Sequence, residues 1–271
     1  MFNIRTKMVV ALQHLRRMRG GSQSHLMRCS DGNYYVVKFQ NNPQGIRILA
    51  NEMLGVRLAS RVGLPVPEGE IVFVSEDLIG ECRELTVQLG RGRASCKAGL
   101  QFGSRYPSRY KETPIFDFLP DEQLGAVSNV ADFLGMLVFD KWTCNTDGRQ
   151  AIFICERNAG QYSAYMIDNG FCFNAAEWNF PDAPLRGLYT RRKVYETVRS
   201  LESFELWIES VERVTESILE GISSTIPAEW YCHDLNAIDE MLARLLRRRH
   251  LIPELIVSAW KSSVQPFPNW K

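Results

Sequence analysis

The spacing of apolar positions changes several times along the chain, and each change marks a predicted element. Residues 8–18 fit no single period, because Leu12, Leu15 and Met18 suit a helix or a strand only in part. Leu26 to Cys29 and Tyr34 to Phe39 are β-prone runs joined by Ser30-Asp31-Gly32-Asn33, which predicts a hairpin. After the Asn41-Asn42-Pro43 turn, Ile46, Leu49, Ala50, Met53 and Leu54 recur at helical spacing, and Gly63, Pro65 and Pro67 end that helix. Ile71 to Val74 and Glu84 to Leu89 read as strands. From Leu124 the helical period resumes at Val127, Val130, Ala131, Leu134 and Val138. Ala151 to Cys155 is a short apolar run suited to a buried strand. Asn158, Ala159 and Gly160 supply turn chemistry before Tyr162 to Ile167 returns. Towards the C-terminus, Trp207, Ile208, Val211, Val214, Ile218 and Ile222 mark one helix, and Ile238, Met241, Leu242, Leu245 and Leu246 another.

Two stretches lack a clear period. Residues 90–114 are rich in Gly, Arg and Ser, and the junction between two lobes is expected here. Arg91, Arg93, Arg105 and Arg109 within it suit either an anion-facing rim or a solvated linker. Residues 174–192 contain Trp178, Phe180, Pro181, Pro184, Arg186 and Tyr189. They suit an ordered surface loop, acting as a structural lid or as a substrate-binding loop.

Composition narrows the function classes. The 271 residues are 45% apolar, enough for a sizeable core in one two-lobed domain or two small ones. With 32 Lys plus Arg against 31 Asp plus Glu, nothing argues for direct nucleic-acid contact or an anionic membrane. The basic run Arg247 to His250 is explained by a helix C-terminus and solvation. The seven cysteines include no CxxC pair, which favours a reduced, cytoplasmic protein over a disulfide scaffold. Zinc is disfavoured on the same ground, since Cys232 and His233 have no spaced partners. Arg5 and Lys7 precede an apolar run, Met8 to Leu12, too short for a signal peptide, and no run approaches the ~20 apolar residues that span a bilayer. The four histidines show no pairing with a Ser or Cys nucleophile.

Candidate chemistry gathers at four places. Gly20, Gly21, Ser22, Gln23 and Ser24 form a glycine-rich turn whose backbone N–H groups can approach phosphate oxygens; an ordinary turn is the plainer meaning. Lys38 sits in an aromatic and β-branched strand, where it must face solvent or find a partner; Glu52, on the next helix, is such a partner or a solvated residue. The loop before Ala151 offers Asn145, Asp147, Arg149 and Gln150, and the loop after Ile167 offers Asp168. A hairpin between them brings Asp147 and Asp168 to one edge, which suits a metal–phosphate site. An acid pair in an unrelated hydrolase such as a glycosidase is a further reading, one that makes no use of Lys38 or Glu52.

In order, these pieces resemble the HipA-like kinases, a branch of the protein-kinase-like fold that is also similar to lipid kinases. The resemblance covers nearly the whole chain. It rests on Gly20 to Leu26, Tyr35-Val36-Val37-Lys38-Phe39, Asn51-Glu52 followed by Gly63 to Pro67, Asn145-Thr146-Asp147-Gly148-Arg149, and Ile167-Asp168-Asn169-Gly170. It implies an α+β, two-lobed protein-kinase-like fold, with a β-rich N-lobe over residues 1–92 and a mainly helical C-lobe over 93–271. It also implies an ATP- and Mg²⁺-dependent kinase acting on a hydroxyl, most plainly Ser or Thr of a protein. Lys38, positioned by Glu52, would hold ATP phosphates under Gly20, Gly21, Ser22, Gln23 and Ser24. Asp147 would be the catalytic aspartate and Asp168 a metal ligand. The resemblance further brings in an antitoxin-like protein as a candidate partner. One departure stands out. Relatives carry a metal-binding asparagine four or five residues after the catalytic aspartate, where this chain has Ala151 and Ile152, which offer Mg²⁺ no oxygen. Asn145 or Gln150 is expected to substitute. The departure keeps open a second reading, a pseudokinase or nucleotide-binding regulatory module without efficient turnover.

Overall fold

The computed structural model describes residues 8–107, 113–155 and 160–271. The first part of the chain folds as β1 (Val9–Arg17), β2 (His25–Cys29), β3 (Tyr34–Lys38), α1 (Arg47–Arg61), β4 (Gly69–Val74), short α2 (Glu76–Glu81), β5 (Thr86–Leu89), β6 (Gly92–Ser95) and β7 (Gly99–Arg105). Five of these strands close a barrel in the order β1-β2-β3-β7-β4, with β1 pairing parallel to β4 at Val9–Val72 and Val10–Phe73. The other pairs in the barrel are antiparallel. Side-chain alternation in β3 follows from its period of two: Tyr35 and Val37 enter the barrel core, while Val36 and Lys38 face a cleft.

The ambiguous residues 8–18 are strand β1. Its register shifts between Ala11 and Gln13 and again between His14 and Arg16, so the alternation that would identify a strand is broken twice. The loop-like stretch after residue 90 contains β6 and β7. Because β7 pairs with both β3 and β4, the β-rich part runs to Arg105 rather than ending at residue 92. Glycine hides this strand in the sequence. At Gly103 a Cβ would lie 2.5 Å from Val72 Cγ2 and 3.2 Å from Tyr35 Cδ1, so close packing requires the bare backbone.

The remainder is built from β8 (Ile115–Phe116), α3 (Asp121–Leu124), α4 (Asp132–Thr143), β9 (Gln150–Cys155), β10 (Tyr162–Ile167), α5 (Glu205–Glu212), α6 (Glu216–Ser223), α7 (Leu235–Arg248) and α8 (Ile252–Trp260). The expected hairpin is present as β9–β10, with β8 on its outer side. Asn158 and Ala159 lie outside the described residues. The period read from Leu124 belongs to two helices: Val127 sits between them and bridges to Tyr162. The single helix expected over 207–222 is also two, because Thr215 caps a new one by accepting the Ile218 N–H at 3.4 Å. Helix α4 is buried on every side from Phe133 to Thr143 and is the axis of the main core. That core is continuous with α1, which carries Leu49, Met53 and Leu54 into it. Among the described residues, no helix is long and apolar enough to cross a membrane.

Candidate active site

The cleft between the barrel and the helical part holds a cavity of about 550 Å³. Gly20, Gly21, Ser22, Ser24, Lys38, Glu52, Asp147, Gln150 and Asp168, drawn from five separate stretches of sequence, all line it. Lys38 Nζ donates to Glu52 Oε1 in a short contact and to Asp168 Oδ1 at 2.8 Å. Glu52 completes its coordination by accepting the Asn169 backbone N–H on Oε2 at 3.0 Å. Thus α1 grips both the strand lysine and the loop that carries Asp168.

The charges in this cluster do not balance. One ammonium faces two carboxylates, which leaves one negative charge beside the cavity. Burial pushes the Lys38 pKa down, but Glu52 and Asp168 outweigh it and the net direction is up, so the ammonium is retained. For Asp168, burial raises the pKa and Lys38 more than reverses it, holding the carboxyl below its ordinary value. Glu52 moves the other way, its burial and the charge of Asp168 exceeding the pull of Lys38; we assign it as ionised, because Lys38 Nζ and the Asn169 N–H each donate to one of its two oxygens. An ionised Asp168 with residual negative charge at a cavity wall fits a divalent cation.

The backbone around Asp168 is built for this position. Asp168 itself has φ +61°, a left-handed conformation that turns its side chain back towards Lys38. The following residues are anchored by Asn51. Its Nδ2 donates to the carbonyls of Gly170 (2.8 Å), Cys172 (3.1 Å) and Ala175 (2.7 Å), and its Oδ1 accepts from Trp178 Nε1 at 2.8 Å. Gly55 lets α1 approach, since a Cβ there would lie 2.4 Å from Asn169 Cβ.

A second buried charge group braces the loop of Asp147. Arg149 grips Asp140 through Nε at 2.7 Å to Oδ2 and through Nη2 to Oδ1, and its Nη1 donates to the Ile167 carbonyl at 2.7 Å and Asn169 Oδ1 at 3.2 Å. Burial pushes the Asp140 carboxyl up while Arg149 pulls it down; we assign it as ionised, because a guanidinium held in two-pronged contact cannot release its proton. The end of α4, the Asp147 loop and the Asp168 loop are thereby tied to one guanidinium.

Two expected site residues are placed differently. Asn145, expected to hold metal, is fully buried: its Nδ2 donates to Asp140 Oδ1 at 3.0 Å and its Oδ1 accepts the Asp147 N–H at 3.1 Å. Both ends of its amide are occupied in shaping the loop. Gln23 leaves the phosphate-covering group and turns to the β5–β6 hairpin, donating to Gln88 O at 3.0 Å and accepting Gln88 N–H at 2.6 Å. Gln150 is the residue near the vacant asparagine role, with its Nε2 3.1 Å from Asp168 Oδ2. Asp147 is exposed at the cavity wall, its Oδ1 accepting only the Gly148 N–H at 2.8 Å among the described contacts.

Of the proposed arginine rim, Arg105 lines the cavity, while Arg91 and Arg93 are exposed on the hairpin and Arg109 lies outside the described residues. The loop over 174–192 is tied down: Lys141 Nζ donates to the carbonyls of Pro184 (2.7 Å) and Arg186 (2.9 Å), and Arg248 grips Asp182. It is an ordered loop packed on the helical core. Sequence reasoning missed Asp140 as a site element. Its signal was present: Asp140 and Lys141 are charged residues inside the otherwise apolar run Phe133 to Trp142.

A family model described as HipA-like kinase matches residues 12–251. No curated protein matches the chain by sequence. In three dimensions the chain is similar to the crystal structure of a Helicobacter pylori proinflammatory kinase, CtkA, with a TM-score of 0.53 and 15% identity, covering 89% of this chain and 95% of that one. It is also similar to the Golgi casein kinase, with a TM-score of 0.51 and 10% identity, covering 95% of this chain and 74% of that one. The fold is therefore the α+β, two-lobed fold of protein kinases.

Proposed function

The chain belongs to the HipA-like kinase family, and from that premise we propose that it transfers the γ-phosphoryl group of ATP to a hydroxyl of a protein, on Ser or Thr. The observation that carries this reading is the meeting of Lys38 with Glu52 and Asp168 on the wall of a cavity that Asp147 and the glycine-rich turn also line. Apolar Val36, Val56, Phe102 and Met166 line the same cavity and suit a planar base. The residues fit a nucleotide and its cation: Lys38 and the backbone of Gly20 to Ser22 would hold phosphate oxygens, and Asp168, with Gln150 beside it, would hold Mg²⁺. When bound, ATP supplies the phosphoryl group and the cation neutralises charge on it. Asp147, exposed and free of an ion pair among the described contacts, orients the acceptor hydroxyl and takes its proton.

The test is transfer from labelled ATP with Mg²⁺. Asp147→Ala is expected to lower labelling of protein by roughly 10²–10⁴-fold, with the thermal melt and nucleotide binding retained. Unchanged transfer rejects the assignment. A regulatory module that binds nucleotide without efficient turnover draws support from β9, where Ala151 and Ile152 offer no oxygen and Gln150 directs an amide N–H, rather than its carbonyl, at Asp168. Saturable nucleotide binding by the unaltered chain with no labelled product favours that reading.

A further inference from the structure

A second group of metal-ligating side chains stands in the barrel and takes no part in the cleft. His14 on β1, Cys82 at the end of α2 and Glu84 each offer one donor atom, and the three atoms lie within 4.8 Å of one another. The local chain presents two of them together. Cys82 follows α2, with its N–H on the Leu78 carbonyl at 3.2 Å, and the Leu85 N–H returns to the Cys82 carbonyl at 3.0 Å. That four-residue turn places Cys82 and Glu84 opposite the bulged part of β1, where His14 Nδ1 lies 3.2 Å from Glu84 Oε2.

Hydrogen bonding behind His14 points to what the group would take. His25 Nε2 lies 3.3 Å from the Thr86 carbonyl, and its Nδ1 lies 3.0 Å from His14 Nε2. A carbonyl only accepts, so His25 donates to Thr86 from Nε2 and its Nδ1 accepts the His14 Nε2–H. The Cys96 thiol, 3.8 Å from His25 Nε2, is the weaker partner for that nitrogen. His14 Nδ1 then faces the Glu84 carboxylate at 3.2 Å, a gap bridged either by a second ring proton or by a cation bound to both atoms. Metal-bound histidines have the same arrangement, with the remote nitrogen donating to a fixed acceptor.

We propose that His14 Nδ1, Cys82 Sγ and the Glu84 carboxylate form a binding site for a borderline divalent cation, Zn²⁺ by the chemistry of its donors, with a fourth position open to water. Thiolate, imidazole and carboxylate together select Zn²⁺ over Mg²⁺, which prefers oxygen alone. The site is built from residues 68 positions apart in the chain, so no ligand spacing announces it. A cation there clamps β1 to the segment entering β5. That segment is already joined to the glycine-rich turn through Gln88 and Gln23, and the histidine relay ends on His25, next to Ser24.

The experiment uses the full chain, freed of metal with a chelator and titrated with Zn²⁺ against a chromogenic competitor, and in parallel with Co²⁺. One Zn²⁺ per chain is expected, together with a near-ultraviolet thiolate-to-Co²⁺ charge-transfer band. Cys82→Ser should abolish the band, and both Cys82→Ser and Glu84→Gln should weaken Zn²⁺ binding by about 10-fold or more. Glu84 is exposed, so its variant tests the site without endangering the fold. Absence of the band in the unaltered chain, equal Zn²⁺ affinity in all three proteins, or displacement of the ion by excess Mg²⁺ overturns the proposal and leaves the histidines as a proton relay. None of these readouts depends on nucleotide binding or turnover.

Discussion

Two clusters of buried charge lie side by side in this molecule, and they behave as opposites. In the first, Arg149 meets Asp140 with two prongs; their side chains are 1% and 0% exposed, the charges cancel, and Asn145 and the Ile167 carbonyl complete the bonding. In the second, Lys38 faces two carboxylates, the charges do not cancel, and the Asp168 side chain is 28% exposed to the cavity. A balanced, sealed pair has nothing left to bind and serves to hold backbone segments together. An unbalanced pair opening on a cavity has charge and space left for a ligand. Burial alone separates neither cluster from the other; the count of charges and the access to solvent do.

The largest effect on stability should come from breaking the balanced pair. Arg149→Met leaves Asp140 as an uncompensated buried carboxylate and releases the carbonyl of Ile167, and should cost about 3–5 kcal/mol in urea unfolding. Adding Asp140→Leu should recover much of that loss, since a pair replaced by apolar groups is often neutral. A single Arg149 variant as stable as the unaltered chain would remove the brace from the account. Lys38→Met is the counterpart in the other cluster. Asp168 can reach water through the cavity and Glu52 keeps the Asn169 N–H, so the loss of stability should be smaller than for Arg149→Met. Phosphate transfer should nevertheless fall by about 10²–10³-fold, the usual effect of removing one donor to a developing charge. Should Lys38→Met unfold the chain as severely as Arg149→Met, the distinction between the two clusters fails.

The two clusters also differ in how far the sequence exposes them. Lys38 stands out because charge interrupts a strand of Tyr and Val, and period-two alternation assigns it to the face opposite Tyr35 and Val37. Asp147 and Asp168 follow from a hairpin with an acid at each outer end, and the structure carries that hairpin as β9–β10. The brace is harder to see. Asp140 and Arg149 are nine residues apart across a left-handed Cys144 at φ +51°, and no helical or strand period survives that reversal. For the same reason Asn145 reads as a metal ligand in sequence: an exposed loop amide and a buried loop amide look alike until the partners of its two ends are known. Strand β7 was illegible for another reason, since Gly99 and Gly103 give it the composition of a linker.

The smallest predicted effect sharpens the comparison from outside. On α7, Arg244 reaches Glu240 one turn away, and both side chains are well exposed, at 40% and 65%. Neither ion has surrendered much hydration, so the attraction is weak and salt can screen it. Glu240→Gln should change stability by no more than about 0.5 kcal/mol, and the difference should vanish in molar salt. The Arg149→Met loss, arising in a sealed site that mobile ions do not enter, should survive the same salt. Measuring both variants in low and high salt separates charge that matters because it is buried from charge that is merely paired, and equal salt sensitivity in the two would show that the Asp140–Arg149 pair is open to solvent after all.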